Sequence, residues 1–282
     1  MLSFITWTAD PVAFTIPLIG REVRWYGIAF AIGFTLGWWI VRNMWKYEKL
    51  NEDWLDKLFF YIIISATIGA RLGHCLFYDP KLYLSHPIEI LKIWEGGLAS
   101  HGGTLGIIIA IWIFSRKYHA NMLWVFDRIV VPVGFVAALI RLGNLMNHEI
   151  YGHPTNLPWA FRFIENLPYT RMGADPVFGP PSHPTQLYEA FFYVLTSCIC
   201  LWMYWKRKDY KYQGLIFGVF LIGIFLSRFF VEFFKNVQES FEENMFLDMG
   251  QLLSIPFIIA GIWFTYKGLK ERQRQLSAQS ST

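Results

Sequence analysis

The chain has 282 residues, 54% hydrophobic and only 16% charged, with a formal net charge of +4. Soluble domains carry about 25% charged residues, so this composition excludes an ordinary soluble domain and points to a membrane. A charge of +4 on so apolar a chain reads as Lys and Arg on cytoplasmic loops and argues against a nucleic-acid surface.

The 13 Trp and 14 Tyr fit aromatic belts, where an apolar ring sits in the headgroup zone with its polar edge in water. No Lys or Arg precedes Arg21, so the charged start of a cleavable signal peptide is missing and the first span is expected to do the targeting. Cys75, Cys198 and Cys200 all fall in apolar runs. They are expected to be small buried side chains, with no disulfide framework, metal site or cofactor.

A membrane span needs about 20 apolar residues. Seven segments qualify, at roughly 24–44, 57–77, 99–115, 123–145, 184–204, 212–233 and 249–268. The third is the weakest, because it opens on "SHGG". Fifteen Lys and Arg fall on the connections after spans one, three, five and seven, against seven on the other side. The positive-inside rule then puts the N-terminus outside and the C-terminus in the cytoplasm. The fold expected is an all-α polytopic membrane protein with about seven transmembrane helices.

Between the spans, residues 78–98 read as an extended piece followed by a short interfacial stretch. Residues 147–183 contain six prolines, too many for a long helix, and read as a small extracytoplasmic cap with a short strand at "PWAFRFI". Residues 1–268 are expected to form a single transmembrane domain carrying this cap. Residues 269–282 are expected to be a polar, disordered cytoplasmic tail.

Three arginines, Arg71, Arg141 and Arg228, lie within or at the ends of spans, all toward the outer leaflet. Burying an Arg in a bilayer costs at least ~2.5–3.5 kcal/mol, so each has a partner or a wet cavity. Arg71 and Arg141 could instead snorkel to the interface, and Arg228 could pair with Glu232 one turn on. Three guanidiniums at one depth favour a phosphate ligand, which their forked donors match, and so a phospholipid headgroup.

His101, before Gly102 and Gly103, is either a helix-start residue or a proton acceptor. Those glycines either break the helix start or let a ligand approach the backbone. Tyr26 is either a belt residue or a hydroxyl in the polar cavity. Gln186 and Glu189 enter the outer third of span five. They either satisfy neighbouring groups or help a helix N-terminus meet a phosphate. A transporter or channel for a small anion, using the same arginines, is the rival reading. Against it stand charges at one membrane face instead of the midplane, and the lack of matched broken helices in two halves.

The motifs "RWYGIAFAIGF", "GARLGHCLFY", "HGG", "RLGNLMNHEIYG", "PWAFRF", "HPTQLYEA", "RFFVEFFK" and "MGQLLSIP" resemble, in order and over nearly the whole chain, the prolipoprotein diacylglyceryl transferase family of bacteria. The resemblance implies a seven-span inner-membrane enzyme with its active site toward the outer leaflet. Its implied reaction moves the diacylglyceryl group of phosphatidylglycerol to the lipobox cysteine thiol of a prelipoprotein, forming a thioether and releasing glycerol 1-phosphate.

The resemblance further implies that Arg141 and Arg228 hold the phosphate. Asn144, Asn147, Glu149 and Gly152 complete the signature, His101 is the proposed base and Tyr26 is linked to activity. Gly102, Gly103, Arg71 and Gln186 are added as substrate-binding candidates. Two positions depart from the family pattern. Ile224 stands where a Tyr is frequent, which puts the role of that hydroxyl in doubt or passes it to another Tyr. His148 replaces a common Gly, and is either a surface residue of no consequence, the favoured expectation, or a second titrating group near the cavity mouth.

Overall fold

The computed structural model describes residues 4–18, 20–92, 97, 99–236 and 246–280. Helices stand at all seven predicted span positions: α1 (Trp25–Tyr47), α2 (Glu52–Phe77), α4 (Ser100–Tyr118), α5 (Met122–Met146), α7 (Thr185–Trp202), α8 (Leu215–Glu232) and α9 (Met249–Ser280). Five are long and apolar enough to cross a membrane: α2, α5, α7 with its π-helical continuation Met203–Arg207, α8 and α9. Large apolar side chains such as Phe60, Ile68, Phe191 and Trp263 lie exposed on α2, α7 and α9, the inverse of a soluble surface and suited to lipid.

The chain forms two compact units. In the unit Ile40–Arg128, α2 begins where Asn51 caps it through Asp53 N at 2.9 Å, with Glu52 and Asp53 at the positive end of the helix dipole. Helices α2 and α4 meet through glycines. A Cβ on Gly106 would lie 2.0 Å from the Ser65 carbonyl oxygen, and one on Gly102 would lie 2.2 Å from that of Gly69. Such small-residue contacts let backbones touch where lipid supplies no hydrophobic drive.

Residues 80–91, expected to start extended, are helical instead: α3 (Pro80–Ser85) and a 3₁₀ turn, Pro87–Leu91. Asp79 caps Leu82 N at 3.3 Å and Pro80 opens the helix, where its missing N–H costs nothing. Residues 93–96 and 98 of that stretch lie outside the described residues.

The other unit comprises Met1–Trp39 and Ile129–Thr282. Gly134 on α5 closes on α7, where a Cβ would meet the Tyr193 carbonyl oxygen at 2.3 Å. Gly218 on α8 closes on Thr265 of α9 in the same way. The N-terminal residues form β1 (Ile5–Thr6) and a hairpin of β2 (Val12–Ile16) and β3 (Arg21–Arg24). Strand β1 pairs in parallel with β4 (Phe161–Arg162), inside the "PWAFRFI" stretch, and Trp7 Nε1 donates to Leu145 O at 3.0 Å. Residues 147–184 hold only short pieces, among them α6 (Leu167–Thr170).

The tail also differs from expectation, because α9 runs on to Ser280. Nothing from 269 to 280 breaks a helix, Gln275 bonds Glu271 one turn back at 2.7 Å, and Arg272 reaches Asp209 at 3.6 Å.

Candidate active site

In the larger unit the C-terminal end of α5, the loop that follows it, the start of α7, the end of α8 and the start of α9 converge. Arg141 lies on α5, and its Nε pairs with Glu189 Oε2 of α7 at 2.8 Å. Its Nη1 donates to Asn144 Oδ1 at 3.3 Å. Asn144 in turn donates to Glu149 Oε1 at 2.7 Å, and Asn147 to the same oxygen at 3.1 Å. The amides of the signature therefore fix a carboxylate on one side and the arginine on the other.

The signature loop is stitched to α7. Gln186 Nε2 donates to Glu149 O at 2.7 Å, and Thr185 Oγ1 to Ile150 O at 2.9 Å. Gln186 is fully buried, and its amide nitrogen is spent on this backbone tie. Gly152 is needed for close approach: a Cβ there would fall 2.0 Å from Phe234 O, where residues 152 and 235 form a β-bridge. Tyr26, at the start of α1, lies against Gly143, where a Cβ would meet its ring at 2.8 Å.

Glu189 is the hub. It is fully buried and also pairs with Lys235 Nζ at 3.0 Å, while Tyr193 OH donates to it at 3.3 Å. Lys235 bridges onward to Glu232 at 3.1 Å. The pairing of Arg228 with Glu232 allowed by their spacing is replaced by this Lys235 contact. Arg228 keeps a buried Nε that has no hydrogen-bond partner among the described residues. Its charge and that of Arg141 both lie within electrostatic range of the Tyr193 hydroxyl. Such an array, cations held by buried acids beside an unmet N–H, has the chemistry to receive an anion.

Lys235 and Tyr193 were not singled out in the sequence, and Glu189 and Glu232 were noted there without their place in this cluster. Spacing carried the signal. Residues 186, 189 and 193 share one face of α7, and 228, 232 and 235 follow the same helical steps, in runs otherwise apolar.

His148 corrects the expectation of an inert surface residue. It is 6% exposed. Its Nε2 bonds Ala9 O at 2.9 Å, and its Nδ1 accepts from Ile164 N at 3.1 Å. Those roles require the neutral ring with the proton on Nε2. Burial accordingly pushes its pKa down, only partly offset by the bond to Ala9. Its φ of 56° is left-handed, the conformation glycine adopts most readily, which is a backbone reason for the Gly common there.

The remaining candidates lie in the smaller unit. Arg71 is 3% exposed, and its donors go to the carbonyls of Ile90 at 2.9 Å, Glu89 at 2.6 Å and Gly97 at 3.3 Å. In this arrangement it clamps a loop. Gly102 packs backbone to backbone with Gly69, whereas Gly103 has ordinary clearance, 3.5 Å to Ala66 O. His101 is exposed in the first turn of α4, its ring 6.0 Å from that of Tyr78.

The whole chain is similar to known proteins. The family model described as prolipoprotein diacylglyceryl transferase matches residues 11–267. A protein named phosphatidylglycerol–prolipoprotein diacylglyceryl transferase from Porphyromonas gingivalis is 53% identical over 95% of this chain and 96% of its own. Proteins of the same name from Chloroherpeton thalassium, 43% identical over 96% and 97%, and Tolumonas auensis, 42% identical over 95% and 99%, are also similar. The chain therefore belongs to the prolipoprotein diacylglyceryl transferase family.

Proposed function

We propose that this chain is a phosphatidylglycerol–prolipoprotein diacylglyceryl transferase, and that the cluster around Arg141 and Arg228 binds the phosphate of its lipid substrate. One observation carries the site assignment: Arg141 is fixed by Glu189 and Asn144 beside an Arg228 whose buried Nε is unmet. The attacking group is the thiolate of the lipobox cysteine. Its sulfur bonds to the glycerol carbon that carries the phosphate, the carbon–oxygen bond breaks, and that oxygen leaves on glycerol 1-phosphate. Two guanidiniums neutralise the charge that grows on the departing phosphate. The thiol proton goes to a base. The resemblance proposes His101, and Tyr26 is proposed to act at the phosphate cluster, against Gly143. Asn144, Asn147, Glu149 and Gly152 shape the wall. Arg71, Gly102 and Gln186 are proposed to support the fold instead of touching substrate, in keeping with their backbone contacts.

The proposed setting is the bacterial inner membrane. All seven long helices cross it, with the N-terminus outside, the C-terminus in the cytoplasm and residues 147–183 as a cap over an outer-leaflet site. The distribution of Lys and Arg supports this orientation. Purified protein is incubated with radiolabelled phosphatidylglycerol and a lipobox peptide, and label on the peptide cysteine is counted. Wild-type transfer that disappears in R141A and R228A is the expected result; wild-type rates in both variants would overturn the clamp. H101Q tests the base separately, since an unchanged rate and pH profile removes His101 from that role and leaves the clamp standing.

A further inference from the structure

Tyr193 is 4% exposed and stands one helical turn beyond Glu189 on the same face of α7. Its hydroxyl donates to Glu189 Oε1 at 3.3 Å. Arg141 and Arg228 both lie near enough for their charges to act on that hydroxyl. A phenol oxygen both donates and accepts, so the group that bonds the acid keeps lone pairs facing the cations of the cluster. Glu189 holds Arg141 at Nε and Asn144 at Nη1, so Tyr193 acts on Arg141 through Glu189.

We infer, resting on the transferase reading above, that Tyr193 is a positioning residue for that reaction, whose hydroxyl fixes Glu189, the partner of Arg141, so that Arg141 and Arg228 face one phosphate. A tyrosine serving only to fill the core would not need its oxygen. This oxygen is bonded to Glu189, inside the ionic cluster.

The opposite wall supplies a control. Ile224 of α8 packs against the buried cluster of Ala138, Ala190 and Tyr193. Both side chains line this one cluster, so a hydroxyl can enter it from either helix. This chain presents an aliphatic side chain from α8 and the phenol from α7, which makes the two positions exchangeable by experiment.

The test uses the full-length protein in membranes, labelled phosphatidylglycerol and a lipobox peptide. Misplacing a catalytic group by about 1 Å costs about 100-fold, so Y193F is expected to lower kcat about 10- to 100-fold with KM for the peptide unchanged. The exchange Y193I/I224Y conserves the side chains of the pair and returns a hydroxyl from the facing helix. It is expected to recover transfer to within about fivefold of wild type, where Y193I alone does not. A wild-type rate in Y193F overturns the inference, and so does an exchange variant that keeps its Tm but is no more active than Y193I. Where Y193F fails to fold, the exchange decides; where the exchange fails to fold, Y193F decides. Absence of transfer by the wild-type chain would sink the transferase reading itself, whereas full activity in Y193F sinks only the role of Tyr193.

Discussion

Glu189 holds the cluster together, and Glu189→Gln tests that directly. The carboxylate is fully buried and its partner Lys235 is 3% exposed. Removing one member of a buried ion pair typically costs about 3–5 kcal/mol, because the other charge is left without compensation. Here the lower end applies. Lys235 retains Glu232 at 3.1 Å and Arg141 retains Asn144 at 3.3 Å, so neither cation is abandoned. About 3 kcal/mol, at 2–4 °C per kcal/mol for a chain of this size, is a Tm decrease of about 6–12 °C.

Scanning fluorimetry in detergent measures the shift, and the transfer assay is run on the same preparation. E189Q is expected to lose both stability and transfer. E189Q/K235M strands the largely buried Glu232, which pairs with Lys235 at 3.1 Å, so it should be no more stable than E189Q and equally inactive. A decrease in Tm below about 2 °C would put the pair in the range of solvated surface salt bridges, worth about 0–1 kcal/mol. The view of the cluster as a rigid electrostatic frame would then be wrong.

Three further outcomes follow from the same geometry. Burial lowers the pKa of His148, and of His183, where nearby His153 adds to it. The unfolded chain therefore binds more protons than the folded one below the ordinary His value of about 6.5, and stability should fall as pH drops from about 6.5 toward 5. Tm measured from pH 8 to 5 should decline less steeply in H148N than in wild type, and equal slopes would refute the assignment. Gly106→Ala places a Cβ 2.0 Å from Ser65 O, whereas Gly103→Ala finds 3.5 Å of clearance. The first should cost about 1–3 kcal/mol by overpacking and the second should be neutral or stabilising, as read from Tm; the reverse order would refute the backbone-contact account of the α2–α4 seam. Gly152→Ala meets Phe234 O at 2.0 Å and shifts the strand bearing Lys235, so transfer should fall about 10-fold or more, and an unchanged rate would refute the close-approach argument.

The sequence made the helices and the polar end of α5 legible because each is a local signal. Apolar runs of span length mark the helices, and "RLGNLMNHEIYG" interrupts one of them with groups that lipid cannot solvate. What it hid are the relations between segments. Glu189 and Lys235 lie 46 residues apart, and no periodicity announces that one neutralises the other. His148 looked dispensable because its partners, Ala9 and Ile164, are backbone groups whose identity leaves no trace in composition. Arg71 looked like a phosphate ligand because a sequence shows a guanidinium but not the three carbonyls that absorb it.

The same reasoning explains why Arg141 and Arg228 remain the stronger phosphate candidates. An arginine whose donors end on backbone carbonyls has little left for a ligand. One held by a carboxylate and an amide beside another with an unmet N–H is oriented and still has donors to give. A cluster of buried acids and bases costs stability against an apolar core of the same shape. Its placement at the meeting point of α5, α7, α8 and α9 fits a fold that keeps this cost for the sake of an anionic substrate.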